Sequence, residues 1–202
     1  MWIFRGGGPG RTVLLYRYKP TRTGEFAKEY LGRYHGYIQA DGYKGYNRVG
    51  KDNDMIRVGC WAHARRYFAD VVKISKKSVS VKEAMNYIAK IYLVEKEARI
   101  KGLAPEEIRD LGQEKAKPIL DRFKIWLDEK VSQVPPSGKT GQALNYTLGF
   151  WNELIVYLKD GRIPVDNNLV ANAIRPFVVG KKTGYSPAVQ RTPVHVQLCT
   201  AC

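Results

Sequence analysis

The sequence predicts a mixed α/β sheet interrupted by a helical block. Short β-rich runs alternate with helical stretches over residues 1–75. From Val81 to about residue 160 the apolar period becomes that of helices. A polar turn near residue 161 then brings back the character of the first part.

The first run, Trp2-Ile3-Phe4, reads as a strand. Gly6 to Gly10 is a turn; it has no Lys-Ser/Thr and no helix after it, so it is not a phosphate loop. Thr12 to Tyr18 is a second strand, making a hairpin with the first, and Pro20 ends it. Thr23 caps a helix with Phe26, Ala27, Tyr30 and Leu31 on its apolar side. Gly36 to Ala40 is a strand that stops at Asp41, where Asp41-Gly42 also fits a simple turn. Met55 to Cys60 is a further strand, and Ala62 to about Val72 a helix carrying Arg65 and Arg66.

In the helical block, Ala84, Ile88, Ile91, Val94 and Ala98 form one stripe. Ile108, Leu111, Ile119, Leu120, Phe123, Trp126 and Leu127 form a second, with Pro118 expected to kink or split it. Pro135 to Gly138 is a linker. Leu144, Leu148, Trp151, Leu154, Ile155 and Leu158 form a third stripe, stopped by Gly161. The core domain is thus expected over 1–75, the helical insertion over 76–160 and a return to the core over 161–182. In that return, Asp166 or Asn168 would cap a helix that Pro176 ends. Residues 183–202 show no helical period and are expected to add nothing to the fold.

The 202 residues suit one sizeable domain, or a domain with a large insertion. Lys and Arg number 34 against 19 acids, a net charge of +15, with a pI near 9.7. So large an excess favours a polyanion, nucleic acid above all. Three Cys make no disulfide framework and point to a reducing compartment. The sequence has no run long enough for a membrane span and no signal-peptide pattern, so a cytoplasmic protein is expected.

Asp41 is the leading chemical candidate. A carboxylate at the C-terminal end of a strand points into the crevice where α/β folds bind ligands. Phosphodiester cleavage commonly uses two divalent ions, and hard ions such as Mg²⁺ take oxygen ligands gathered from distant parts of a chain. Cys60 and His63 supply only two of the four ligands of a structural zinc site; a buried Cys and a hydrogen-bonding His are expected instead.

Four blocks carry a more specific signal: Tyr16 to Arg22; Gly36 to Asn47; Gly59-Cys60-Trp61-Ala62-His63-Ala64-Arg65-Arg66-Tyr67-Phe68; and Pro164-Val165-Asp166-Asn167-Asn168 with Ala173-Ile174-Arg175-Pro176. In order and spacing they resemble the bacterial DDE transposases of insertion sequence family sixty-six, over residues 1 to about 182. The resemblance implies a partial ribonuclease-H-like core with a mainly α-helical insertion. It implies Mg²⁺-dependent cleavage and joining of DNA at transposon ends. The protein partner would be a full-length transposase or a second copy of the chain. Asp41 falls on the second Asp of the family's Asp-Asp-Glu triad and would be a metal ligand. Cys60 and His63 match a Cys-x-x-His element, and together with Asp166, Asn167 and Asn168 would shape the site. Arg65, Arg66, Arg175, Lys181 and Lys182 are the candidate DNA contacts.

The sequence departs from the family pattern in three places. The strand bearing the first Asp would precede Trp2 and is expected to be missing. The Glu of the triad falls on Ala171, which cannot ligate a metal, and Asp166 is a poor substitute. After Lys182 the family continues Asn-Trp-Leu-Phe, whereas this chain reads Thr183-Gly184-Tyr185-Ser186. A one-nucleotide shift of suitable codons restores the family's peptide, so a frameshift near Lys182 is expected and the coding DNA tests it. The expectation is a transposase fragment that does not cleave DNA, a decayed gene product in one version. The alternative is a non-catalytic basic DNA-binding module or a regulator of a full-length transposase. Apolar faces at Trp2-Ile3-Phe4 and Phe177-Val178-Val179 are expected to be exposed, favouring aggregation.

Overall fold

The computed structural model describes residues 2–6, 13–18, 24–32, 34–42, 55–74, 79–170, 172–173 and 197–201. The fold is mixed α/β and divides into two compact units. One joins Met1–Val58 to Asn167–Cys202, and the other is Gly59–Asp166.

In the first unit, β1 (Trp2–Gly6) and β2 (Val13–Arg17) pair antiparallel, with Trp2 opposite Arg17 and Gly6 opposite Val13. α1 (Gly24–Leu31) follows, then β3 (Gly36–Gln39) and β4 (Met55–Val58), which pair parallel. α1 lays its apolar side against the sheet. Ala27 is buried with Trp2, Phe4, Ile38, Ala40 and Met55, and Phe26, Tyr30 and Leu31 pack around them. The Trp2 and Phe26 rings meet edge-on at 5.2 Å, and Phe4 lies tilted against Tyr30 at 4.6 Å. Gly32 ends α1 at φ +48°, its N–H donating to the Lys28 carbonyl at 3.1 Å; a side chain there would be strained.

The last strand, β5 (Gln197–Ala201), lies in the middle of the sheet, whose order is β2-β1-β5-β3-β4. It runs parallel to β1 and antiparallel to β3. Two expectations are corrected here. The tail, expected to add nothing, supplies a central strand. Trp2, Ile3 and Phe4, expected to be exposed, are buried: β1 is flanked on both sides, and α1 covers the face that carries Trp2 and Phe4. The exposed apolar strand is β2 at the sheet edge, where Val13, Leu14, Leu15 and Tyr16 are open to solvent. Phe177-Val178-Val179 lies outside the described residues.

The second unit is helical: α2 (Trp61–Ile74), α3 (Val79–Lys101), α4 (Pro105–Leu111), α5 (Lys117–Val131), α6 (Lys139–Gly149) and α7 (Trp151–Leu154), with a 3₁₀ turn at Val156–Lys159. α2 belongs here rather than with the sheet: it packs on α3 and α6, and its Trp61 ring lies near Phe123 of α5 and Trp151 of α7. All three apolar stripes are core-facing, with Ile88, Ile91, Leu120, Phe123, Leu127, Leu144 and Leu154 buried. Trp61 sits among them, edge-on to Trp151 at 6.0 Å, and its indole N–H donates to the Leu154 carbonyl at 3.0 Å.

Pro118 splits its helix one turn early. Residues Gly112–Ala116 form a π-helical turn, in which the Lys117 N–H donates to the Gly112 carbonyl five residues back. A proline ring clashes with the carbonyl four residues before it, and widening the preceding turn relieves that clash. The third stripe is broken twice, after Gly149 and after Leu154, so one expected helix becomes α6, α7 and the 3₁₀ turn.

Candidate functional site

Asp41 lies just past β3, half-buried. The Ala40 N–H still donates to the Val58 carbonyl at 3.1 Å, so strand pairing runs to the residue before it. The Arg57 guanidinium, from β4, donates to the Asp41 main-chain oxygen at 2.9 Å. That contact pins the backbone at the strand end. Asn167 and Asn168 belong to the same unit; Asn167 is buried, and its carbonyl accepts from the Val170 N–H at 3.0 Å as helical geometry begins at 168–170.

Cys60, His63, Arg65, Arg66 and Asp166 belong to the helical unit. Cys60 is buried, and its carbonyl accepts from the His63 N–H at 3.1 Å, opening α2. Arg65 and Arg66 are both exposed on α2 but act in different directions. The charge of Arg65 reaches Tyr92 on α3, whereas that of Arg66 reaches Asp70 on its own helix. Ala171, Arg175, Lys181 and Lys182 lie outside the described residues.

Asp166 is tied into the helical unit. Tyr92 donates its phenol hydrogen to Asp166 Oδ2 at 2.7 Å, and the neighbouring Val165 carbonyl accepts from the Trp61 N–H at 3.2 Å. Burial, then the bond to Asp166, holds the Tyr92 phenol far above its ordinary range. Glu95, one turn along α3, has its carboxyl pushed up by burial first and by Asp166 second. Tyr157 is buried, its hydroxyl has no hydrogen-bond partner among the described residues, and burial followed by Glu95 raises its pKa as well. Glu95 and Tyr157 share a cavity of about 20 Å³ with Ile91, Ala98, Gly112 and Leu158, enough for about one water.

Mg²⁺ in the expected role needs several oxygen ligands at one place. Among the described residues, no three His, Cys, Asp or Glu side chains come together in that way. These residues therefore do not make up a magnesium site around Asp41.

The sequence alone missed the Tyr92–Asp166–Glu95 group. A signal was present: Glu95 stands four residues after Ile91 and three before Ala98, inside the apolar stripe of α3. Also missed was a ring stack between helices, Tyr67 on Tyr146 at 4.4 Å, with Phe150 tilted against Tyr146 at 4.9 Å.

Among the described residues, no helix is long and apolar enough to cross a membrane. The family model described as "Transposase IS66 family" matches residues 1–187. The chain is similar to three proteins of Sinorhizobium fredii. It is 32% identical over 184 residues to uncharacterized protein y4qI, a match covering 87% of this chain and 33% of the relative. It is 30% identical over 181 residues to uncharacterized protein y4jD, covering 87% and 35%. It is 29% identical over 213 residues to uncharacterized protein y4hP, covering 97% and 39%. The chain thus spans about a third of the length of the curated relatives it matches. No solved structure matches it.

Proposed function

The chain belongs to the IS66 transposase family, and we propose that it is a DNA-handling portion of such an enzyme that does not cleave DNA by itself. The match along residues 1–187 carries this reading. A surplus of 15 positive charges supports DNA as the partner, held mainly through phosphates and therefore salt-sensitive. We assign the β1–β2 hairpin and the parallel β3–β4 pair to a ribonuclease-H-like core and Gly59–Asp166 to its helical insertion. Asp41, pinned at the end of β3, is the second triad acid. Ala171 stands where the third would be, and an alanine supplies no oxygen for a metal.

The test uses the purified 202-residue chain and duplex DNA from the ends of its own insertion element. Binding should weaken steeply as salt is raised, and no nicking should appear with Mg²⁺. Nicking that disappears on Asp41→Asn would overturn the inactive assignment. Absence of any salt-dependent binding would overturn the DNA assignment.

A further inference from the structure

The exposed face shared by α2 and α6 of the helical unit combines stacked rings with a surplus of cations. Tyr67, on α2, is 42% exposed, yet its ring lies against Tyr146 of α6 at 4.4 Å and 27°. Phe150 adds a third ring, tilted by 39° against Tyr146 at 4.9 Å. Arg66, Lys73 and Lys139 gather around the single acid Asp70, whose carboxyl is held low by its bond from Lys73 first and by the charges of Arg66 and Lys139 besides. The order of these contacts shows that the helices run antiparallel. Tyr67 meets Tyr146, and six residues earlier on α2, Trp61 meets Trp151, just past the end of α6. Arg66, Tyr67, Asp70 and Lys73 share one side of α2 by their three- and four-residue spacing. Across both helices, Asp70 is the only acid against Arg65, Arg66, Lys73 and Lys139.

A duplex hides the faces of its bases and presents phosphates, for which cations alone suffice. Flat rings set among cations match a strand whose bases are open: the rings take the base faces and the cations take the backbone. We propose that the Tyr67–Tyr146 face binds single-stranded DNA, with an unpaired base stacked on Tyr67 and the flanking phosphates held by Arg66 and Lys139. The proposal rests on the DNA reading above and adds strand form and location.

The test measures anisotropy of a labelled thymidine 20-mer and of a 20-base-pair duplex with the full 202-residue chain. Tyr67→Ala is expected to weaken binding of the single strand about 10-fold while leaving the duplex unchanged, since one stacked base contributes on that scale. Tyr67→Phe should bind like the parent, because the ring and not the hydroxyl makes the stack. Equal weakening for both DNA forms, or none for either, overturns the proposal. The parent chain with an iodouracil-substituted single strand gives a readout independent of variant folding. Photo-crosslinks at Tyr67 or Tyr146 support the proposal; crosslinks confined elsewhere overturn it. If the chain binds neither DNA form, the DNA reading falls as well. Binding that is indifferent to Tyr67 sinks only the single-strand site.

Discussion

Tyr92 and Asp166, 74 positions apart in sequence, are joined by a 2.7 Å hydrogen bond from phenol to carboxylate. The bond fastens the segment that leaves the helical unit to the middle of its longest helix. Asp166 is also the last residue of that unit.

Removing the phenol oxygen should therefore loosen the exit of the helical unit. Tyr92→Phe keeps the ring and loses the charge-assisted bond, which is expected to cost about 1–3 kcal/mol. Urea unfolding followed by far-UV circular dichroism should show a lower midpoint with an unchanged slope. An unchanged midpoint would mean that Asp166 is held by other contacts.

Glu95 gives the unit a pH dependence of definite sign. Burial and Asp166 raise its folded pKa above the ordinary 4.5. The folded state then binds the proton more tightly than the unfolded state does. This contribution is present in full below about 4.5, where both states are protonated, and is lost as pH rises through the folded pKa. Glu95→Gln removes the titration. The variant should gain stability over the parent at pH 7 and gain less at pH 4, measured by thermal melting at both values. A difference that grows towards acid pH would contradict the burial of this carboxyl.

Phe123 is the ring on which the helical core converges. It is fully buried, parallel to Tyr87 at 4.9 Å, and within about 6 Å of Trp61, Trp126 and Trp151 by ring centres. Phe123→Ala opens a cavity that rigid helices from α2, α3 and α5 cannot close, with an expected loss of about 3–5 kcal/mol. Near-ultraviolet circular dichroism should lose much of its tryptophan signal in the same variant, since three indoles lose a neighbour.

The helical unit was largely legible in the sequence, because each stripe repeats over several turns and its buried residues recur on one face. β1 to β4 were legible from β-rich runs bounded by Gly and Pro. β5 was not. Five residues flanked by strands on both sides need no alternation, so the tail offered no period to read. The boundary at Val58 was missed for a different reason. Trp61 and Phe68 of α2 follow a strand directly, and only the packing of α2 as a whole on α3 and α6 assigns them to the helical unit. Asp41 was placed correctly at a strand end, from Tyr37 and Ile38 before it and Gly42 after it. Its surroundings were not, because Arg57 comes from the next strand.

β5 is the strand that joins the β1–β2 hairpin to the β3–β4 pair, since both of its edges are in the hydrogen-bond ladder. A proline in it removes one donor and cannot sit in a central strand without breaking the pairing. Thr200 is the position opposite Ile38 of β3. Thr200→Pro should cost the lost bond plus an acceptor left unpaired, together about 2–4 kcal/mol. Hydrogen exchange then separates the two units. Amides of β1 and β3 should exchange faster in the variant, whereas those of α3 and α5, which lie in the other unit, should keep their protection. Equal protection of β1 and β3 in both proteins would mean that the sheet holds without its last strand.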